Sequence, residues 1–229
     1  MRRITSIATW VLLCLACATI SRADTMQQLS SRSGLTDTIN WSQLGGGPMS
    51  NGVSVTSTGG VAATVVGALS GLYVGQQGIN WFGSFGFGDY IMDTGSNISG
   101  TYGPMTISFA SPLSAFATQM EVDAYGPYSG KLAAYNASDV QLALYSFSGN
   151  ANSNGDNSAA TIGVADLSGP GISKIIISDD ATTGSAANFA INQVSLSAPL
   201  PEPASTTVIG MGGLLLLRRR RMLMPGRSI

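Results

Sequence analysis

Met105-Thr106-Ile107-Ser108-Phe109 and Phe116-Ala117-Thr118-Gln119-Met120-Glu121-Val122-Asp123 alternate along their length. In the first, Met105, Ile107 and Phe109 interleave with Thr106 and Ser108. In the second, Phe116, Met120 and Val122 share a face with Thr118, and Ala117, Gln119, Glu121 and Asp123 make the other. Successive side chains of a strand point to opposite faces, so both stretches predict half-buried strands, and Glu121 and Asp123 read as part of a solvated polar face. Working outward, the same pattern predicts strands at Val53 to Thr56, Val61 to Val66, Lys131 to Tyr135, Val140 to Phe147, Ala160 to Val164, Lys174 to Ser178 and Phe189 to Ser197. No helical stripe of about ten or more positions competes with them. About eight strands at this spacing predict an all-β fold, a two-sheet antiparallel β-sandwich of jelly-roll type. A β-barrel or β-helix is the alternative, and no repeat period supports a solenoid. Tyr135-Asn136-Ala137-Ser138-Asp139-Val140 is the clearest hairpin, because Asn and Asp tolerate tight-turn geometry. A wider loop is expected from Gly149 to Ser158.

Composition removes several classes of chemistry. The chain has no histidine, so the usual zinc ligand, the usual general base and the Ser-His-Asp and Cys-His triads are absent together. Its two cysteines, Cys14 and Cys17, fall in the first 23 residues, which leaves the rest without thiol or disulfide. Between Asp24 and Pro203, three basic residues (Arg32, Lys131, Lys174) face twelve acidic ones, a net charge near −9. No basic patch for nucleic acid or an anionic membrane can be assembled from them.

The candidate chemistry is sparse. Three acidic pairs, Asp89 with Asp93, Glu121 with Asp123 and Asp179 with Asp180, are the available acid and base for glycoside hydrolysis, which needs two carboxyls flanking a cleft. A solvated polar face explains them without any cleft, and no catalytic residue is assigned. Asn150, Asn152, Asn154, Gly155 and Asp156 imitate the start of a calcium loop, but Thr161 stands where a bidentate Glu belongs, so no metal ligand is assigned and any structural calcium is expected to be weak. Trp41, Trp81, Phe82, Phe85, Phe87 and Tyr90 either stack on sugar rings or fill the core. Trp81, Phe82 and Tyr90 are the carbohydrate-binding candidates, with Gly83, Gly86 and Gly88 permitting close approach of a ligand.

Both ends of the chain carry addresses. Met1-Arg2-Arg3, an apolar run from Ile4 to Ile20 and Ser21-Arg22-Ala23 form a signal peptide over residues 1–23, with signal peptidase cutting between Ala23 and Asp24. A cut before Thr19, after Ala16-Cys17-Ala18, also satisfies the small-residue rule. Lipid attachment at Cys17 fits less well, since Cys14 stands where a lipobox carries Leu. At the other end, Pro201-Glu202-Pro203 delays helix formation, Ala204 to Leu217 is uncharged, and Arg218-Arg219-Arg220-Arg221 follows at once. At about 1.5 Å per residue the apolar stretch spans roughly 21 Å, short of the ~30 Å hydrocarbon core, and the arginines extend it by snorkelling to the cytoplasmic interface. The intervening residues therefore lie outside. An apolar core strand, the rival reading, sits badly beside four arginines.

The motif, the apolar helix with Gly210, Gly212 and Gly213, and the arginine cluster, in that order, resemble the PEP-CTERM sorting signal of bacteria that make extracellular polysaccharide. The resemblance implies recognition by exosortase, a membrane transpeptidase-like enzyme, and cleavage near Pro201-Glu202-Pro203. Met222 to Ile229 run past the point where that family usually stops. The central region also resembles the globular part of PEP-CTERM proteins with no assigned activity, through Asp37 to Gly45, Asn154 to Ala159 and Asn188 to Leu196. Related sequences often read Phe-Ala-Ile-Asp-Asn in the last segment, where this chain has Asn192-Gln193 in place of Asp-Asn. The expected layout is a signal peptide (1–23), a β-sandwich (24–198), a sorting signal (199–221) with a transmembrane helix, and a short tail (222–229). The expected function is that of an exported, non-enzymatic envelope or matrix protein whose partners are signal peptidase, exosortase, the membrane before processing and, in a second reading, extracellular polysaccharide. A carbohydrate-binding module and a glycan-active enzyme are the rivals. A solvent-exposed row of Trp81, Phe82 and Tyr90 would favour the first, and a cleft with two facing carboxylates the second.

Overall fold

The computed structural model describes residues 25–67, 71–94, 104–180 and 188–198. The signal peptide with its Ala23–Asp24 junction, Pro201-Glu202-Pro203, the apolar segment, Arg218 to Arg221 and the 222–229 tail lie outside the described residues. In chain order the strands are β1 (Met26–Leu29), β2 (Asp37–Ile39), β3 (Gly47–Met49), β4 (Val53–Thr56), β5 (Ala62–Val66), β6 (Leu72–Gln76), β7 (Tyr90–Asp93), β8 (Met105–Leu113), β9 (Ala115–Val122), β10 (Gly126–Tyr135), β11 (Gln141–Ala151), β12 (Ala160–Asp166), β13 (Ile172–Asp179), β14 (Phe189–Ile191) and β15 (Val194–Ser197). A 3-10 turn at Trp41–Leu44 is capped by Asn40, whose side chain accepts from the Ser42 amide.

Among the described residues the strands form two antiparallel sheets. The six-stranded sheet runs β11-β10-β13-β8-β5-β4. The nine-stranded sheet runs β1-β12-β9-β14-β7-β6-β3, with β15 pairing β9 and β2 beside that path. The chain changes sheet at Ser114, between β8 and β9, where the Ser114 amide and hydroxyl both donate to the Ser197 carbonyl. The sheets face each other across one apolar core, into which Met105, Ile107, Leu132, Ile175 and Ile177 project from the smaller sheet and Val74, Met92, Phe116, Met120 and Ile191 from the larger. The expected all-β, two-sheet antiparallel sandwich is therefore the observed fold. The expected hairpin is present as well: Asn136 accepts from the Ser138 and Val140 amides and Asp139 takes a φ of 60° between β10 and β11.

Three expectations need correction. The polar face of β9 is not solvated, for every residue from Ala115 to Val122 is buried. Phe189 to Ser197 is two strands in line along one edge of β9, with a register shift at Asn192-Gln193, and the outer neighbour changes there from β7 for β14 to β2 for β15. The loop expected from Gly149 begins only after Ala151, since β11 pairs with β10 to the Gly126–Ala151 position.

The burial of β9 on both faces has a plain cause. Directly opposed residues of neighbouring strands point the same way, and Tyr73, Asp93, Ala190 and Glu121 are opposed in one row across β6, β7, β14 and β9. That row lies on the face turned away from the main core. The connection between β6 and β7 crosses it and builds a second, smaller core of Trp81, Phe85, Ile91, Ala159 and Ala190.

A candidate binding pocket on the outer sheet face

The covering connection is held to itself before it is held to the sheet. The buried Gln77 side chain pairs with Gly83 in both directions, its Nε2 donating to the Gly83 carbonyl at 2.8 Å and its Oε1 accepting the Gly83 amide at 3.1 Å. The Gly78 amide closes the intervening turn by donating to the Trp81 carbonyl at 2.8 Å. The loop before β12 packs over the same residues, with the Gly155 amide on the Gly83 carbonyl and the Ala159 amide on the Ser84 carbonyl.

Glu121 is the anchor beneath. Only 1% exposed, its carboxylate accepts the Ser84 amide at 2.6 Å, the Ser84 hydroxyl at 2.9 Å and the Asn152 amide at 3.3 Å. Burial pushes its carboxyl above the usual glutamate value against the opposing pull of the Ser84, Trp81 and Asn152 donors. Trp81 Nε1 lies against this carboxylate without closing a well-formed hydrogen bond. A Cβ on Gly83 would collide with both the Glu121 carboxylate and the Trp81 indole nitrogen. Glu121 therefore joins the sheet to its cover, and it faces no cleft.

Beside this anchor a pocket of about 380 Å³ opens between the sheet, the cover and the turn after β9. Tyr73 and Asp93 reach it from β6 and β7, Asn80, Trp81 and Phe82 from the cover, and Asp123 and Tyr125 from the turn. Trp81 is 7% exposed and leans on Phe85 with ring centroids 6.2 Å apart, whereas Phe82 and Tyr125, at 62% and 68%, stand open at the rim. The Tyr125 hydroxyl donates to the Phe82 carbonyl at 3.1 Å, tying the two rims together. Asn80 is fixed from both ends, since its Oδ1 accepts the Gln76 amide at 2.6 Å and its Nδ2 donates to the Tyr73 hydroxyl at 3.1 Å. Asp123 is itself exposed at the pocket's edge, and only the partial desolvation it meets there moves its carboxyl upward.

The sequence candidates are redistributed by this arrangement. Trp81 and Phe82 meet in the pocket, but Tyr90 packs against the main core from β7, so the three do not form an exposed row. Trp41 is buried in the main core and donates from Nε1 to the Asn192 carbonyl at 2.8 Å; Phe85 belongs to the small core, and Phe87 is exposed. Of the acidic pairs, Glu121 is sealed while Asp123 lines the pocket. Asp89 accepts from Asn192 and lies about four residues, roughly 13 Å of strand, from Asp93. Asp180 pairs with Lys131 at 3.0 Å on the other sheet. The pocket instead unites Asp93, on β7, with Asp123, just past β9 in the same sheet, and their meeting depends on the register of β7, β14 and β9. Tyr73, Asn80 and Tyr125 join them, and no sequence signal separates these from ordinary strand and turn residues.

In the Asn150 to Asp156 loop the oxygens serve the loop itself. Asn152 Oδ1 accepts the Asn154 amide at 2.7 Å, and Asp156 accepts both the Ser158 amide and hydroxyl, the hydroxyl contact holding its carboxyl below the ordinary value. Among the described residues no group of three or more His, Cys, Asp or Glu could hold a metal ion, and no helix is long and apolar enough to cross a membrane.

No protein-family model matches this chain, and no curated protein does. Among solved structures it is similar to a DUF4465 family protein from Bacteroides caccae, at 9% identity and a TM-score of 0.37, over 78% of this chain and 95% of that one.

Proposed function

We propose that this chain is an exported, non-enzymatic protein of the cell envelope or extracellular matrix, a jelly-roll-like sandwich processed by exosortase at Pro201-Glu202-Pro203, and that its outer-face pocket binds extracellular carbohydrate. The sorting half rests on the order of motif, apolar stretch and Arg218 to Arg221. The binding half rests on one observation: aromatic rings from three separate segments surround fixed polar groups in an open pocket. Rings at the rim supply flat apolar faces for a sugar's C–H groups, and Asn80, Asp93 and Asp123 supply the few directed polar contacts that set orientation. The test is a glycan panel against the full-length chain. Binding of one or more polysaccharides, lost on Tyr125→Ala or Phe82→Ala and without turnover, is the expected result. Absence of binding across the panel would overturn it.

A glycan-active enzyme is the second reading, favoured by the meeting of two carboxyl residues, Asp93 and Asp123, in one pocket. Glycan turnover abolished by Asp123→Asn would establish it and displace the first.

A further inference from the structure

We propose that two copies of this chain associate edge to edge through β11, in an antiparallel two-fold pairing centred on Ser146 that joins their six-stranded sheets. β11 ends that sheet and, among the described residues, pairs with β10 alone. It has eleven residues, Gln141 to Ala151, with no charge and no proline among them. The other terminal strands are unlike it: β1 and β4 have four residues, β2 and β3 three, and β3 contains Pro48. An open strand edge is a row of unmet backbone donors and acceptors, and shortness, charge and proline are what keep such a row from pairing. β11 has none of the three. The register shift at Leu142 touches only its start, and Ala143 to Ala151 run in unbroken register with β10. Ser146 offers its carbonyl outward, where Gln28 Nε2 of β1, in the other sheet, reaches it at 3.4 Å.

Three features select a second copy as the occupant. Ser146 is the midpoint of β11, so full antiparallel overlap sets it beside itself and places Tyr145 opposite Phe147 of the second copy, twice. Both rings are half-buried against the main core, and such cross-strand aromatic pairs would close the core's open side. Charge favours this side as well. Lys131 and Lys174 are paired with Asp180 and Asp139 on the six-stranded sheet, whereas Asp37, Asp93, Glu121 and Asp166 all belong to strands of the other one, so two acidic chains meet here with the least repulsion. The overlap would also close roughly six to ten backbone hydrogen bonds, within the ~10 ± 5 of a typical interface.

The experiment is analytical ultracentrifugation of the full-length chain in mild detergent, with a melting curve for each variant. The wild-type chain should sediment as a dimer that dissociates on dilution. Ser146→Lys sets two cations against each other, each opposite its own Lys131, and should weaken the dimer at least about tenfold, a decade in Kd. Ser54→Lys, on the exposed face of β4 at the far edge of the same sheet, should leave it intact. Ser146→Cys probes the contact without adding charge. Directly opposed residues of antiparallel strands have Cα atoms about 4.5 to 5.5 Å apart, within disulfide range, so mild oxidation should link two copies at that position, mapped by peptide mass spectrometry. Ser54→Cys should not link. A wild-type chain that stays monomeric at its highest soluble concentration would overturn the proposal. So would a dimer undiminished by Ser146→Lys, or equal linking of Ser146→Cys and Ser54→Cys, since either puts the contact elsewhere. Should Ser146→Lys fail to fold, the two cysteine variants decide the matter.

Discussion

Asn192 shows how one side chain settles a local argument. Its Nδ2 donates to Gln119 Oε1 at 2.6 Å and to Asp89 Oδ2 at 3.1 Å, its Oδ1 accepts the Gln119 amide, and its carbonyl receives the Trp41 indole. An aspartate here would replace two donations with a charge beside Asp89. Arg32, whose Nη1 donates to Asn192 Oδ1 at 3.4 Å, would offset part of that charge, so Asn192→Asp is expected to cost about 1 to 3 kcal/mol of stability in urea denaturation at neutral pH, the scale of buried polar groups left without their partners. An unchanged midpoint would mean that the fold tolerates a carboxylate at that position. Asp37 is the opposite case. Burial opposes its charge, but donors from Ser57, Gly59, Thr58 and Thr38 outweigh it and hold the carboxyl below its ordinary value. A carboxyl lowered by folding stabilises fully above its unfolded pKa of about 3.9, and the contribution is lost as pH falls through the folded value. Asp37→Asn should thus cost about 2 kcal/mol at pH 7, the scale of hydrogen bonds to a charged group. The gap to wild type should narrow on acidification below about pH 4; a gap independent of pH would show that the charge is not what the site uses.

Among the elements, the β6–β7 connection matters most, because it turns one face of a sheet into an interior and walls one side of the pocket. Gly83 sets how closely it approaches Glu121. Gly83→Ala is expected to lift the cover, cost about 1 to 3 kcal/mol as overpacking does, shift Trp81 emission to the red and weaken glycan binding. Unaltered emission and stability would show that the cover adjusts freely. Glu121 should make this region favour acid: its folded pKa is raised, so its contribution is greatest below the unfolded value of about 4.3 and declines as pH rises through the folded one. Sequence legibility follows the same line. β4, β5, β8 and the β10–β11 hairpin are readable since one face of each is core and the other is wetter. β7 reads Tyr-Ile-Met-Asp and is buried at three of its four positions, so alternation fails. β2 and β3 have three residues each, too few to show a period. The polar half of β9 misleads for the reason that makes it useful: Gln119 and Glu121 are polar because a covering loop supplies their partners.

At the scale of the molecule, two expectations concern how the protein is delivered and what holds it together. Replacing Pro201, Glu202 and Pro203 by alanine should leave export intact and trap the unprocessed chain in the membrane, as read by cell fractionation. Release with the wild-type C-terminus would dispose of the sorting proposal. The full-length chain should melt in chelator at nearly the temperature seen in millimolar calcium, and a large calcium-dependent rise would revive the Asn150 to Asp156 loop, because a ligand bound only by the folded state raises its stability. The alternation of Met105 to Phe109 and Phe116 to Val122 was sufficient to specify an all-β chain, and the missing histidine and the charge imbalance to remove whole classes of chemistry, since strand periodicity and side-chain inventory are local properties of the chain. The joining of Asp93 to Asp123, the sealing of Glu121 and the division of the aromatic rings among core, cover and rim were settled only by the tertiary structure. They depend on strand register and on a loop crossing a sheet, which set contacts between residues far apart in the chain and leave no period in it.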